Sequence, residues 1–370
     1  NVKGVFTNTN PVDAYRGAGR PEAAYLIERL IDKSAKELNV CPLNLRNVNL
    51  IDESDMPYKT ALGHTYDSGN FKKNLLSCVE ISQYNTFKER KNISFKNNKY
   101  RGIGISTYIE ACGGGGPEYS SIKIGGNGNI EVKIGTQSNG QGHATSYAQI
   151  VSEVLSVPIN DINVIQGNSL EIAQGSGTGG SRSMPVGGNA LHLAAKKFLH
   201  HTKKALADYL NTSPDKILYK EGFFQFNNKQ FSLSNLTQLS NFNEVLEVAA
   251  NWSPNESTFT YPNGTHICEL EIDKFSGLVK ILNYTVVDDF GKVINPMLLE
   301  GQVHGGIAQG IGQALFEETI YDDETGQLLS GSFMDYAIPR ASDLPNINFS
   351  YNEILCNTNP LGIKGAGEAG

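Results

Sequence analysis

One order of elements occurs twice in this chain, and that recurrence restricts its fold more than any other feature. Residues 121–124 and 129–134 alternate apolar and polar side chains on either side of a Gly125-Gly126-Asn127-Gly128 turn, which predicts a β-hairpin. A glycine turn then leads into an apolar helix expected to start near His143 and run to Leu155. Residues 265–272 and 278–288 repeat the hairpin around Lys274-Phe275-Ser276-Gly277, and a Gln/Gly segment leads into a helix expected from about Gly301 to Glu318. The segments GTQSNGQGHATSYAQIVSEVL and GQVHGGIAQGIGQALFEE share Gly, Gln and His ahead of an apolar run, so we expect an internal duplication.

The remaining stretches are placed around these units. Pro21 to Leu38 reads as a helix with Leu26, Ile27, Leu30, Ile31, Ala35 and Leu38 on one apolar face and Pro21 in its first turn. A polar connection follows to about Tyr100 with one helical pattern near residues 71–87, and residues 101–111 alternate as a strand. Residues 211–261 are polar and dotted with aromatics, which suggests small strands running over the surface.

Composition narrows the function classes. At 370 residues the chain is long enough for two domains or one two-lobed one. Its net charge of −7 supplies no cationic footprint for nucleic acid or an anionic membrane, and no run of 18 apolar residues spans a bilayer. The first residues lack a charged n-region and an apolar h-region, which points to the cytoplasm. Five cysteines without a C-x-x-C pair offer neither a disulfide framework nor a zinc or iron–sulfur site, and the His200-His201 pair has no third ligand beside it. The start without Met and the end on a glycine turn lead us to expect a segment of a longer polypeptide, truncated at that turn.

Four segments carry chemistry: Ala14-Tyr15-Arg16-Gly17-Ala18-Gly19-Arg20, Gly140-Gln141-Gly142-His143, Gly177-Thr178-Gly179-Gly180-Ser181-Arg182-Ser183 and Gly365-Ala366-Gly367-Glu368-Ala369-Gly370. Glycine lets backbone N–H groups approach an anion closely, and a helix N-terminus adds its positive dipole end, so such turns suit a phosphate or pyrophosphate. Together they suggest one large ligand wrapped by several loops. The terminal GAGEAG matches G-x-G-x-x-G but follows an Asn359-Pro360-Leu361-Gly362 turn and has no helix after it, which excludes the dinucleotide-fold reading. Gly140–Gly142 likewise lacks the lysine of a P-loop.

The chain resembles the catalytic large subunits of the xanthine oxidase family of molybdenum hydroxylases, and within it looks most like the large chains of aerobic carbon monoxide dehydrogenases. The carriers are AYRGAGRPEA, IGTQSNGQGHATSYAQI, GTGGSRSMPVGGNA, VDDFGKVINPMLLEGQVHGGIAQGIGQALFEE, MDYAIPRASDLP and NPLGIKGAGEAG. The resemblance implies an α+β molybdopterin-binding fold of duplicated hairpin–helix subdomains in two lobes, with residues 1–98 the end of the first lobe and 99–370 the second. It implies molybdopterin cytosine dinucleotide as cofactor, its molybdenum held by the pterin dithiolene with no side chain as metal ligand.

By the same resemblance Glu368 is the catalytic carboxylate and Arg16, with Gly17, lines the active-site loop. Gly140, Gln141, Gly142 and His143 bind the pterin; Ser181, Arg182 and Ser183 take the pyrophosphate; Gln302 and Gly367 are further cofactor contacts. A 2Fe-2S cluster and FAD are implied on partners, an iron–sulfur small subunit and an FAD medium subunit, in a dimer of heterotrimers. The implied reaction inserts water-derived oxygen at an aldehyde or N-heterocycle carbon of a small-molecule substrate. A catalytically silent cofactor-binding or assembly subunit is the alternative. Carbon monoxide oxidisers carry a loop resembling A-Y-x-C-S-F-R whose cysteine holds copper; here Gly17 stands at that position and offers no soft ligand.

Overall fold

The computed structural model describes residues 3–11, 13–125, 128–172, 174–239, 247–254 and 259–370. Two four-stranded sheets carry the duplication. Helix α1 (Arg20–Glu37) opens the chain, followed by α2 (Pro42–Asn49), a short ribbon of β1 (Tyr58–Lys59) and β2 (Thr65–Tyr66), α3 (Phe71–Ile81), α4 (Phe87–Lys96) and the long strand β3 (Lys99–Ile109). The first unit comprises β4 (Glu118–Ile124), β5 (Ile130–Ile134), α5 (His143–Leu155) and β6 (Ile162–Ile165). Helix α6 (Asn189–Tyr209) follows, then a small sheet of β7 (Leu218–Lys220), β8 (Phe223–Phe226) and β9 (Lys229–Ser232), the one-turn α7 (Leu233–Leu236) and β10 (Glu247–Trp252). The second unit comprises β11 (Asn263–Asp273), β12 (Val279–Asp289), α8 (Pro296–Leu315) and β13 (Ile347–Asn352).

The topology of the units coincides. In each, an antiparallel hairpin is followed by a helix and a strand that returns parallel to the second hairpin strand, β6 beside β5 and β13 beside β12. An outside strand closes the other edge of each sheet, antiparallel to the first hairpin strand: β10 beside β4 and β3 beside β11. Segregated hairpins and packed helices make the class α+β. Gly126 and Asn127 of the first hairpin turn lie outside the described residues.

The cores follow from strand alternation. Ile122, Val132 and Ile134 point from the first sheet onto α5 and α6, where Tyr147, Ile150, Leu191 and Phe198 are fully enclosed. In the second sheet, Val286 faces Val303 and Ile307 of α8, while its neighbour Val287 faces Leu75 and Cys78 of α3 on the opposite side. Each fully buried aliphatic side chain of this kind contributes about 1.5–3 kcal/mol.

Three sequence expectations change. Helix α8 begins at Pro296 rather than near Gly301, because Asn295 caps it by accepting a hydrogen bond from Leu298 N at 3.0 Å. Gln302 and His304 therefore lie within the helix, whereas Gln141 precedes α5 and His143 is its first residue; the textual match between the segments is out of register with the structural one. The polar connection also holds two further helices, α4 and the eight-residue α2, of which α4 has no clear apolar period. Finally, α1 docks by only part of its expected apolar face: Ala35 is buried, but Leu26, Ile27 and Leu30 are exposed, and the helix is fastened through Glu28. Arg46 Nε donates to Glu28 Oε2 at 2.7 Å and its Nη2 to the Ile105 carbonyl at 3.1 Å, tying α1 and α2 to β3.

Candidate active site

Two cavities meet at one corner of the molecule. The first, about 720 Å³ and the more polar of the two, has walls shared evenly between polar and apolar groups from the Gly140–His143 turn, the 178–185 segment, the start of α8 and the C-terminal turn. The second, about 1110 Å³, has mainly apolar walls that include Ile27, Ile31, Tyr66, Phe71 and Tyr108. Tyr15, Arg16, Gln309 and Glu368 line both.

On the polar side the helix α5 N-terminus is open. Gly142 occupies its cap position with φ of 73°, and no side chain caps the helix. The Gln141 Oε1 accepts from Asn139 N at 2.5 Å, which leaves the amide N–H groups of Gln141 as donors at the cavity. Burial lowers the pKa of His143 from its usual value, and its Nδ1 lies 3.3 Å from the Gln137 carbonyl. The ring is therefore neutral with its proton on Nδ1 and Nε2 left as acceptor. The two glycine turns are stitched together: Thr178 Oγ1 donates to the Gln137 carbonyl at 2.6 Å, and Tyr147 Oη to the Ser183 carbonyl at 3.0 Å.

Of the site residues expected from sequence, Gly140, Gln141, His143, Ser181, Ser183, Gln302, Gly367 and Glu368 line the first cavity, while Gly17 lines the second and Arg16 both. Gly142 serves the turn rather than the wall. Arg182 departs from expectation. Its side chain is buried and paired with the Glu118 carboxylate, and it donates to the carbonyls of Gly116 (3.0 Å) and Gly177 (2.9 Å). A guanidinium spent on protein acceptors has no fork left for a pyrophosphate, and Arg182 lines neither cavity. It instead anchors the glycine run after β3 to the 177–183 turn.

The corner where the cavities meet is built on the flank of α8. A Cβ added at Gly306 would lie 1.9 Å from the Ala369 carbonyl oxygen, so glycine is needed for the C-terminal turn to rest against the helix. Arg16 holds that turn: its Nε donates to the Gly367 carbonyl, Nη1 to Gln309 Oε1 at 2.9 Å and Nη2 to the Gln302 carbonyl at 3.0 Å. Burial lowers the Arg16 pKa, while the facing Glu368 carboxylate opposes that shift. Behind the turn, Lys364 is fully buried, with Nζ 2.5 Å from Asp289 Oδ2 and 3.2 Å from the Ser68 carbonyl.

Glu368 accepts a hydrogen bond from Ser181 Oγ, and Cys112 Sγ lies 3.7 Å from its Oε2. Ser181 has φ of 52°, an uncommon conformation for a residue with a Cβ. Glu110 stands beside them, ion-paired to Arg20 at 2.9 Å. Desolvation by burial raises the Glu110 carboxyl to about 7, with Glu368 adding to the shift and Arg20 opposing it. Burial first, then Glu368 and Glu110, push the Cys112 thiol well above its ordinary value. Sequence reasoning missed Glu110 and Cys112; the signal was the Gly113–Gly116 run that follows Cys112, just beyond the end of β3 at Ile109.

Comparison with known proteins is consistent across the chain. Residues 77–345 and 1–50 match two families, each described as a molybdopterin cofactor-binding domain. The chain is 32% identical to the carbon monoxide dehydrogenase large chain of Hydrogenophaga pseudoflava over all of its length and 49% of that protein's. It is 30% identical to the nicotine 6-hydroxylase large subunit of Paenarthrobacter nicotinovorans, covering all of this chain and 47% of the relative. Among solved structures, quinoline 2-oxidoreductase from Pseudomonas putida 86 superposes with a TM-score of 0.87 at 31% identity, over 97% of this chain and 48% of that one. The chain thus spans about half the length of the relatives it matches.

Proposed function

Because the chain belongs to the xanthine oxidase family of molybdenum hydroxylases, as part of a large molybdopterin-binding subunit, we propose that it holds the catalytic corner of such an enzyme. In this reading the polar cavity receives the cofactor and the apolar cavity the substrate. The observation that carries the reading is their convergence on Glu368, which is the one carboxylate lining the polar cavity among the described residues.

The donor set suits a pterin with a phosphate-bearing tail. An open helix N-terminus, the Gln141 amide, the neutral His143 acceptor and the Ser183 hydroxyl offer donors and acceptors in a cavity of the size that ligand sites have. The proposed form is molybdopterin cytosine dinucleotide, with its pyrophosphate on the backbone N–H groups of the 178–183 turn; the Ser183 hydroxyl donates to Thr178 Oγ1 at 2.9 Å and shapes that turn. When bound, the group supplies a high-valent molybdenum centre that acidifies water and accepts two electrons.

The protein's own contribution is then local. Glu368 accepts the proton lost by the attacking water, in the role of general base. Ser181 orients its carboxylate, and Arg16 fixes the turn through Gly367 and places a positive charge near the Glu368 carboxylate. Apolar walls exclude competing water and accept an aldehyde or N-heterocycle. Copper chemistry is disfavoured at Gly17: its φ is 98°, and an added Cβ would lie 2.5 Å from Pro21 Cγ, so a cysteine there has neither space nor a relaxed backbone.

An iron–sulfur small subunit with a 2Fe-2S cluster and an FAD medium subunit complete the proposed complex, a dimer of heterotrimers in the cytoplasm. Among the described residues no helix is long and apolar enough to cross a membrane. The lobe boundary is proposed near residue 98, ahead of β3. The test is metal and nucleotide analysis of the full complex, with a substrate screen using a dye acceptor. Molybdenum, released cytosine nucleotide and turnover of aldehydes or N-heterocycles support the reading. Cofactor without turnover favours a silent assembly subunit, and absence of cofactor contradicts both.

A further inference from the structure

With cofactor and substrate filling the two cavities that Glu368 lines, as in the proposed function, the base must be emptied of its proton before it can act again. Once Glu368 is protonated, its neighbours offer few places for that proton to go. Ser181 already donates to Glu368, Arg16 is cationic, and Cys112 keeps its own proton because burial pushes the thiol far up. Glu110 is different. Its carboxylate, the Cys112 sulfur and the Glu368 carboxylate each place a polar atom within 4.8 Å of the others. On its far side Glu110 meets Arg20 at 2.9 Å, and the Arg20 side chain is 45% exposed.

We propose that Glu110 takes the proton from Glu368 between turnovers and passes it to solvent beside Arg20, with Cys112 holding the two carboxyl groups within reach. The inference rests on Glu368 being the base. The step balances simply: an O–H bond on Glu368 breaks, one on Glu110 forms, the proton then leaves to water, and no electrons move. The separation is one that a single bridging water spans.

The surroundings of Glu110 set when the relay is open. It faces Arg20 from α1, Cys112 on its own segment and Glu368 from the C-terminal turn, with Arg16 beyond Glu368; the Ala111 N–H also donates to it. Burial raises its carboxyl to about 7. Such a group accepts and releases protons with little bias near neutrality. Above that value it is charged and receives the proton; below it the carboxyl is already protonated and the relay closes. Multiple turnover should therefore rise with pH through about 7.

The test uses the cofactor-loaded complex and the isosteric variant Glu110→Gln. Multiple turnover should fall roughly tenfold, while the first turnover, which precedes any need to discharge Glu368, falls by less than about twofold. Added imidazole should restore multiple turnover in Glu110→Gln by carrying the proton itself, and restore nothing in Glu368→Gln. Independently of activity, cofactor-free protein should show a protonated-carboxyl infrared band that fades as pH rises through about 7 and is missing in Glu110→Gln. If Glu110→Gln does not assemble, Arg20→Gln serves instead: loss of the opposing cation should move the neutral limb upward. A Glu110→Gln enzyme with the parent's pH profile and no response to imidazole, beside an inactive Glu368→Gln, overturns the relay alone. Parental first-turnover and multiple-turnover rates in Glu368→Gln overturn the base and the relay together.

Discussion

The duplicated units share a topology and use their helices differently. In the first, α5 is met end-on: its N-terminus has no side-chain cap and begins at a left-handed glycine, and His143 and Gln141 stand at the mouth of the polar cavity. In the second, α8 is closed at its start by Asn295 and Pro296 and works through its flank, where Gly306, Gln302 and Gln309 receive the C-terminal turn and Arg16. An exposed helix end offers unpaired N–H groups, which suits binding an anion; a capped helix offers a rigid side, which suits holding one carboxylate in a fixed place. The account therefore assigns cofactor retention to the first unit and chemistry to the second.

Removing the carboxylate from the α8 flank is expected to have the largest effect. Glu368→Gln keeps the shape of the turn but lacks a proton acceptor, and should slow molybdenum reduction by substrate about 10²–10⁴-fold with cofactor content unchanged. Rapid-mixing absorbance with metal analysis checks both. Next comes Arg182→Ala, which strands the buried Glu118 carboxylate. Breaking such a pair costs about 3–5 kcal/mol, seen as a lower denaturation midpoint, and any cofactor loss should track that instability.

At the open end, His143→Ala should lower cofactor occupancy roughly tenfold, equivalent to about 1.4 kcal/mol, with the rate per loaded molecule near the parent's. Molybdenum content after gel filtration reports it. The smallest effect is expected at the closed end, where Asn295→Ala removes a cap worth about 1 kcal/mol and should lower thermal stability, with a smaller loss of occupancy than His143→Ala although Asn295 also lines the cavity. A comparable occupancy loss in both variants would erase the distinction between the helices.

Much of this division was legible in the sequence where local rules decide it. The span of α5 agrees with its apolar period after a glycine turn, and both hairpins lie where alternation places them. What escaped depends on partners distant in sequence. Arg182 read as a free phosphate ligand because Glu118 is 64 residues away. Glu110 reads as the end of a strand and Cys112 as one of five cysteines without a C-x-x-C pair, because the fold alone brings them beside Glu368, 256 residues from Cys112. Helix α4 lacks a clear apolar stripe and α2 spans only eight residues, and the exposed Leu26 and Leu30 show that an apolar face on α1 does not say which side docks. The displaced start of α8 came from weighting shared letters over the Asn-Pro cap.

The central claim is tested most directly by measuring two quantities on the same preparations of His143→Ala and Glu368→Gln in the full complex: molybdenum per large subunit, and the single-turnover reduction rate per molybdenum. The account predicts that they separate, with occupancy falling and rate kept in His143→Ala, and occupancy kept and rate falling at least a hundredfold, about 2.7 kcal/mol, in Glu368→Gln. If the Glu368→Gln rate per molybdenum stays within a few-fold of the parent's, or if both variants lower the same quantity, the assignment of binding to one helix end and chemistry to the other helix flank is wrong.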